Sequence, residues 1–175
     1  MTSAPADAPV ALLNEARGHW KGGGPLRAGE IVWAQLGADQ RPRWAAAILG
    51  ACLEAVDQVP VQLAAVLDVA GDPPRWREAH RVFDAIRDLV LRVERGELRP
   101  TPPATAALFV GENAARVLYN ANSTPDPFDE DSGAWLVASA RTFVERVRDA
   151  AAEERVWKAI ATLGTSDDEA LAGRA

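Results

Sequence analysis

The segment from Glu112 to Asn120, ENAARVLYN, holds the residues best placed to do chemistry together: Glu112, Asn113, Arg116, Tyr119 and Asn120. At the helical repeat of about 3.6 residues per turn, Ala107, Val110, Ala114, Val117, Leu118 and Ala121 make one apolar stripe. Glu112, Asn113, Arg116 and Asn120 lie opposite it, mixed with Leu108, Phe109 and Tyr119. A face of this kind suits a ligand: Glu112 as proton acceptor, Arg116 as anion contact, and Asn113, Tyr119 and Asn120 as orienting groups. Glu112 and Arg116 stand at i,i+4 in the favourable order, worth only about 0.3 kcal/mol if exposed. Half buried, the same groups must satisfy one another, and the cluster becomes specific. A plainer reading has Asn113, Tyr119 and Asn120 capping loops and holding the Pro125–Pro127 turn. It carries more weight, because buried amides are normally satisfied within their own fold.

Downstream, Asp126-Pro127-Phe128-Asp129-Glu130-Asp131 offers carboxylates for a hard cation. A helix–loop–helix calcium loop needs acids at alternating positions and a closing Glu. Counted from Asp129, the fifth position is Gly133 and the twelfth is Ala140, so the pattern fails. Helix capping by Asp129 or Asp131 explains the acids better.

Other chemistry is thin. His19 and His80 are the only histidines and Cys52 the only cysteine, too few for a tetrahedral zinc site without carboxylates. His80, at the edge of the Trp76/Phe83 stripe, reads as a partly buried packing residue. The apolar surroundings of Cys52 predict a raised pKa and an inert thiol. Gly22-Gly23-Gly24-Pro25 lacks the G-x-x-x-x-G-K-[ST] of a phosphate loop and follows no strand. No catalytic residue, metal or cofactor is assigned.

The 175 residues are close to one domain, 48% hydrophobic and 25% charged, enough apolar material for a core. The net charge of -6 argues against nucleic acid, which needs a clustered basic surface. Only Lys21 and Lys158 are lysines, an arginine excess read as GC-rich coding bias. The apolar run from Trp44 to Leu53 is about half the length that spans a bilayer, and the N-terminus lacks a basic signal region. No membrane partner and a cytoplasmic location are therefore expected.

The elements that must position these residues read as helices throughout. Breaks fall at Gly18, Gly37, Gly71-Asp72-Pro73-Pro74 and the Pro-rich stretch 96–103. Helices are predicted at about 9–17, 28–36, 42–56, 60–69, 74–95 and 103–122, with a seventh from near Asp129. That last one either runs on to Leu163 or breaks near Ala150–Glu154. The fifth is the clearest, with Trp76, Ala79, Val82, Phe83, Ile86, Leu89, Val90 and Val93 in one stripe and its charged side taken as a solvated face. The expected fold is all-α: a single-domain bundle of six to seven helices over 9–164, with 1–8 and 165–175 flexible. The Pro-rich loop separates five N-terminal helices from a C-terminal helical pair.

Six tryptophans are many for this length. Packing explains them unless several are exposed together, which would mark an interface. The reading that follows is a small protein-interaction, regulatory or accessory module, whose partner is another protein or a second copy. The alternative is a ligand-binding or enzymatic bundle with a polar site between the sixth and seventh helices.

Overall fold

A computed structural model describes residues 7–122 and 131–162. The Pro125–Pro127 turn, the acidic run before Asp131, residues 1–6 and the tail from Leu163 lie outside the described residues. Within them the chain forms eight α-helices, not six or seven, and no strand. These are α1 (Asp7–Lys21), α2 (Pro25–Trp33), α3 (Arg41–Leu53), α4 (Val61–Ala70), α5 (Ala79–Glu94), α6 (Pro102–Asn122), α7 (Ser132–Val147) and α8 (Ala150–Ala161). No helix among the described residues is long and apolar enough to cross a membrane.

The departures from the sequence reading have identifiable causes. Gly18 does not end α1, which runs on to Lys21. A helical glycine costs about 1 kcal/mol, but continuing the helix buries Trp20 completely against Trp157. Burying so large a ring returns about 2–3 kcal/mol. The turn comes instead at Gly23, whose φ of 86° needs glycine, and Pro25 opens α2. The expected fifth helix is two elements. Pro73–Glu78 is a tight 3-10 helix, and α5 itself begins only at Ala79. Trp76 Nε1 donates to Ala70 O at 3.2 Å, pinning that turn to α4. Of the two alternatives for the C-terminal helix the break is the one found, just ahead of Ala150: Arg148 turns into the left-handed region at φ 56°, and Asp149 caps α8 by accepting from Ala151 N at 2.9 Å. Asp131, expected to cap α7, makes no such side-chain bond.

Helix α6 is central, with α3, α4, α5 and α7 all packed on it. Around it α2 lies on α7, α1 on α2, and α8 on α3. The buried core draws residues from all eight helices. Three approaches at glycines are unusually close. A Cβ on Gly29 would lie 2.6 Å from Ala134 Cα, and one on Gly133 would collide with the Trp33 ring, at 2.6 Å from its Cδ2. On α6, a Cβ at Gly111 would run into Leu63 Cδ2.

These contacts separate two kinds of glycine. Gly133→Ala should lower stability by about 1–3 kcal/mol, because the rigid Trp33 ring cannot yield. Gly18→Ala, where an added Cβ meets nothing within 4 Å, should raise it by about 0.5–1 kcal/mol. Urea titrations of the two variants read both signs. Equal behaviour would contradict the packing.

Candidate functional site

The residues singled out on α6 form a strip along its outer side, between α5 and α7, but they do not converge on one ligand. Glu112 is 5% exposed. Its partner is Arg87 of α5, whose Nη1 donates to Oε1 at 2.7 Å, rather than Arg116 one turn along. A carboxylate buried this far needs a cation or hydrogen bonds to remain. Arg87 supplies both while keeping nearly half of its side chain in solvent.

Arg116 is half-buried with its guanidinium carbon 5.9 Å from the centre of the Phe83 ring. Tyr119 stacks on the same ring at 6.2 Å and 29°. Phe83 of α5 is thus shared by a cation and a phenol from successive turns of α6. Asn113 Nδ2 donates back to Phe109 O at 2.9 Å, a bond internal to the helix. Asn120 Nδ2 donates to Ser132 Oγ at 2.9 Å, and Ser132 is buried. That bond ties the end of α6 to the start of α7.

Among the described residues, two aromatic side chains remain outside. Tyr119 is 43% and Trp135 52% exposed. Tyr119 adjoins Asn120, and Trp135 stands one turn from Ser132 on the same side of α7. The Asn120–Ser132 bond therefore places both aromatics at one end of the α6–α7 pair. The other tryptophans serve packing. Trp20, Trp44 and Trp157 are buried, and Trp33 and Trp76 are half-buried.

Cavities among the described residues lie elsewhere. One, of about 550 Å³, separates the α3–α4 connection from the start of α6, lined by residues such as Val56, Asp57, Val59, Pro60, Pro100 and Pro103. Another, about 210 Å³, lies between α1 and α8 against Arg17, Trp20, Glu153, Glu154 and Trp157. Both glutamates there are already paired, Glu154 with Arg17 and Glu153 with Arg141. Trp20 Nε1 is buried with no acceptor among the described residues.

No group of three or more His, Cys, Asp or Glu side chains among the described residues could hold a metal. His80, expected to be partly buried, is exposed, with Nδ1 3.1 Å from Arg77 O. Cys52 is wholly buried, and burial pushes its thiol from the ordinary 9.0 up to about 12. The residues that the sequence did not single out are Arg87 and Ser132. Arg87 is remote from Glu112 in sequence, so no local spacing signals it. Ser132 needs the relative placement of two helices. No family model, curated protein or solved structure matches the chain.

Two outcomes check this geometry. An Arg87→Ala/Glu112→Ala double-mutant cycle should give a coupling of about 1–2 kcal/mol, reduced from a fully buried pair by the exposure of Arg87. A coupling near zero would remove the ion pair from the account. For Cys52, thiol reagents at pH 8 should react only after denaturation. The thiol stays protonated in the fold, whereas the unfolded chain loses that proton above about pH 9. Its contribution to stability is therefore full below about pH 9 and lost as pH rises towards 12. Relative to Cys52→Ala, the wild type should lose stability across that window.

Proposed function

We propose that this chain is a protein-binding module, and that its contact surface is the outer side of α6 with its flanks on α5 and α7. The observation that carries the reading is the joint exposure of Tyr119 and Trp135 at one end of the α6–α7 pair. Large aromatics lose little rotamer entropy on docking and bury much apolar area, so they anchor interfaces. Half-buried Arg116 and Phe83 border Tyr119, and arginine is the charged residue most enriched at such surfaces. The partner is another protein or a second copy of the chain. The net charge of -6 favours a protein partner over nucleic acid.

The alternative, a ligand or enzymatic site between α6 and α7 using Glu112, Asn113, Arg116, Tyr119 and Asn120, has weaker support. Glu112 is turned to α5 and paired there, and the amides of Asn113 and Asn120 are engaged with Phe109 and Ser132. A ligand would have to displace these partners, and each broken buried bond costs about 1–3 kcal/mol.

The test places a photo-cross-linking residue at Thr142, which is exposed and on the same side of α7 as Trp135, and a control at exposed Ala47 on α3. The Thr142 probe should capture a protein, and Trp135→Ala in the same chain should weaken that capture by about tenfold or more. Capture unaffected by Trp135→Ala, or equal capture from Ala47, would sink the proposal.

A further inference from the structure

Helix α8 is joined to α7 by two residues only, Arg148 and Asp149. The reversal there rests on a feature the sequence does not favour. Arg148 takes φ 56° and ψ 37°, the left-handed conformation, which glycine adopts freely and arginine only at a cost. Nothing else in the local sequence demands a break. From Ala134 to Ala161 there is neither glycine nor proline, and alanines, glutamates and arginines dominate the region around the bend, all good helix formers. Within the connection itself the bend is capped by Asp149, whose carboxylate accepts from Ala151 N at 2.9 Å. With Arg148 and Asp149, the latter extended at φ -115° and ψ 118°, both in the ordinary helical region, α7 and α8 become a single helix from Ser132 to Ala161.

Straightening removes α8 from a well-made seat. Ala152, Val156, Trp157 and Ile160 are buried, and Trp44 Nε1 donates to Ile160 O at 2.9 Å. Three ion pairs ring the seat: Arg17 with Glu154 at 2.8 Å, Arg141 with Glu153 at 2.7 Å, and Arg155 with Glu54 at 3.2 Å. The indole of Trp157 lies 6.0 Å from that of Trp20. A vacated seat of this composition has one occupant that reproduces every contact, the α8 of a second copy. We propose that the chain forms a domain-swapped dimer in which α7 and α8 run on as one helix and each α8 docks on α1 and α3 of the other protomer. The exchanged contacts are the same in monomer and dimer, so the balance is set by the hinge and by concentration. A short hinge held in a strained conformation favours the open form.

The hinge can be pushed both ways. Asp149→Ala removes the cap of the bent form and adds a helix former, so it should raise the dimer fraction at a given concentration by about fivefold. Arg148→Gly relieves the left-handed residue and weakens the continuous helix, so it should lower the fraction by a similar factor. Light scattering on concentrated, long-incubated samples reads the fractions. To identify the exchanged element, a full chain carrying Arg17→Cys is mixed with one carrying Glu154→Cys and treated with a short bis-maleimide. Buried Cys52 stays unlabelled. A chain carrying both substitutions, cross-linking within the monomer, establishes the reach. The proposal expects a cross-link between the two different chains in the dimer fraction. A dimer lacking that cross-link overturns it. So does the absence of any dimer in the wild type and in a folded Asp149→Ala variant at their solubility limits, and so do hinge variants that move the fraction in the same direction. Should Asp149→Ala fail to fold, the contrast between wild type and Arg148→Gly decides.

Discussion

The packing depends on volume that is missing from α6. Ala107, Ala114 and Ala115 are fully buried, and Gly111 sits where a Cβ would meet Leu63. A helix carrying this little bulk lets its neighbours approach closely on several sides at once, and close approach multiplies dispersion contacts between the elements. Gly29 and Gly133 use the same device one layer out, bringing α2 onto α7. Because α3, α4, α5 and α7 all crowd α6, only a narrow strip of it faces outward. The polar residues of the Glu112–Asn120 segment lie on that strip or along its edges. Their interleaving with Phe109 and Tyr119 follows from this. A strip between two flanking helices is neither core nor open surface, so it accepts aromatic rings and amides side by side.

The tryptophans and arginines form a second, related pattern. Arg41 lies 4.1 Å over the Trp33 ring, Arg141 5.3 Å over Trp20, and Arg17 5.9 Å over Trp157. The indoles themselves pair, Trp20 with Trp157 and Trp33 with Trp44. A planar guanidinium can cover an aromatic face while keeping its edges for carboxylates. Arg17 and Arg141 do both, pairing with Glu154 and Glu153. Coding bias explains why arginine is abundant in this chain. It does not explain why arginines stand over indole faces at the edge of the core, where the compact lysine ammonium would stack less well.

How much of this was legible in the sequence depended on whether the cause was local. The stripe on α5 and the apolar stripe on α6 are periodic, and both are where the period puts them. Glycine and proline punctuation was informative at Pro42, which stands in the first turn of α3, and at Gly71-Asp72-Pro73-Pro74, where α4 has ended. It misled at Gly18, because the return for burying Trp20 comes from Trp157, far away in the chain. The break at Arg148 had no glycine to announce it, and only the cap at Asp149 hints at it. Within the candidate site, the composition of the strip could be read from α6 alone. The partners could not. Arg87 answers Glu112 and Ser132 answers Asn120 only because α5 and α7 lie where they do. The i,i+4 rule pointed to Arg116 for Glu112, and tertiary placement overrode it, since a half-exposed cation on the neighbouring helix reaches a buried carboxylate at 2.7 Å.

That override also bears on what the strip can do. A site for chemistry needs groups with unused hydrogen-bonding capacity facing a common point. Here the carboxylate of Glu112 is turned to Arg87, the amide of Asn113 to its own helix, and the amide of Asn120 to Ser132. What is left facing outward is area rather than reactivity: the ring of Tyr119, the indole of Trp135, and the guanidinium of Arg116 over the ring of Phe83. Half-exposed aromatic surface costs the free protein about 25 cal/mol for each Å² left in water. A chain that buries Trp20 and Trp44 almost completely can build deep aromatic seats, so the exposure of Trp135 is not a general shortage of core. Under the proposed function, polar groups engaged within the fold beside exposed rings would recognise a partner by shape and apolar burial. Recognition of that kind suits a macromolecular partner better than a small polar ligand.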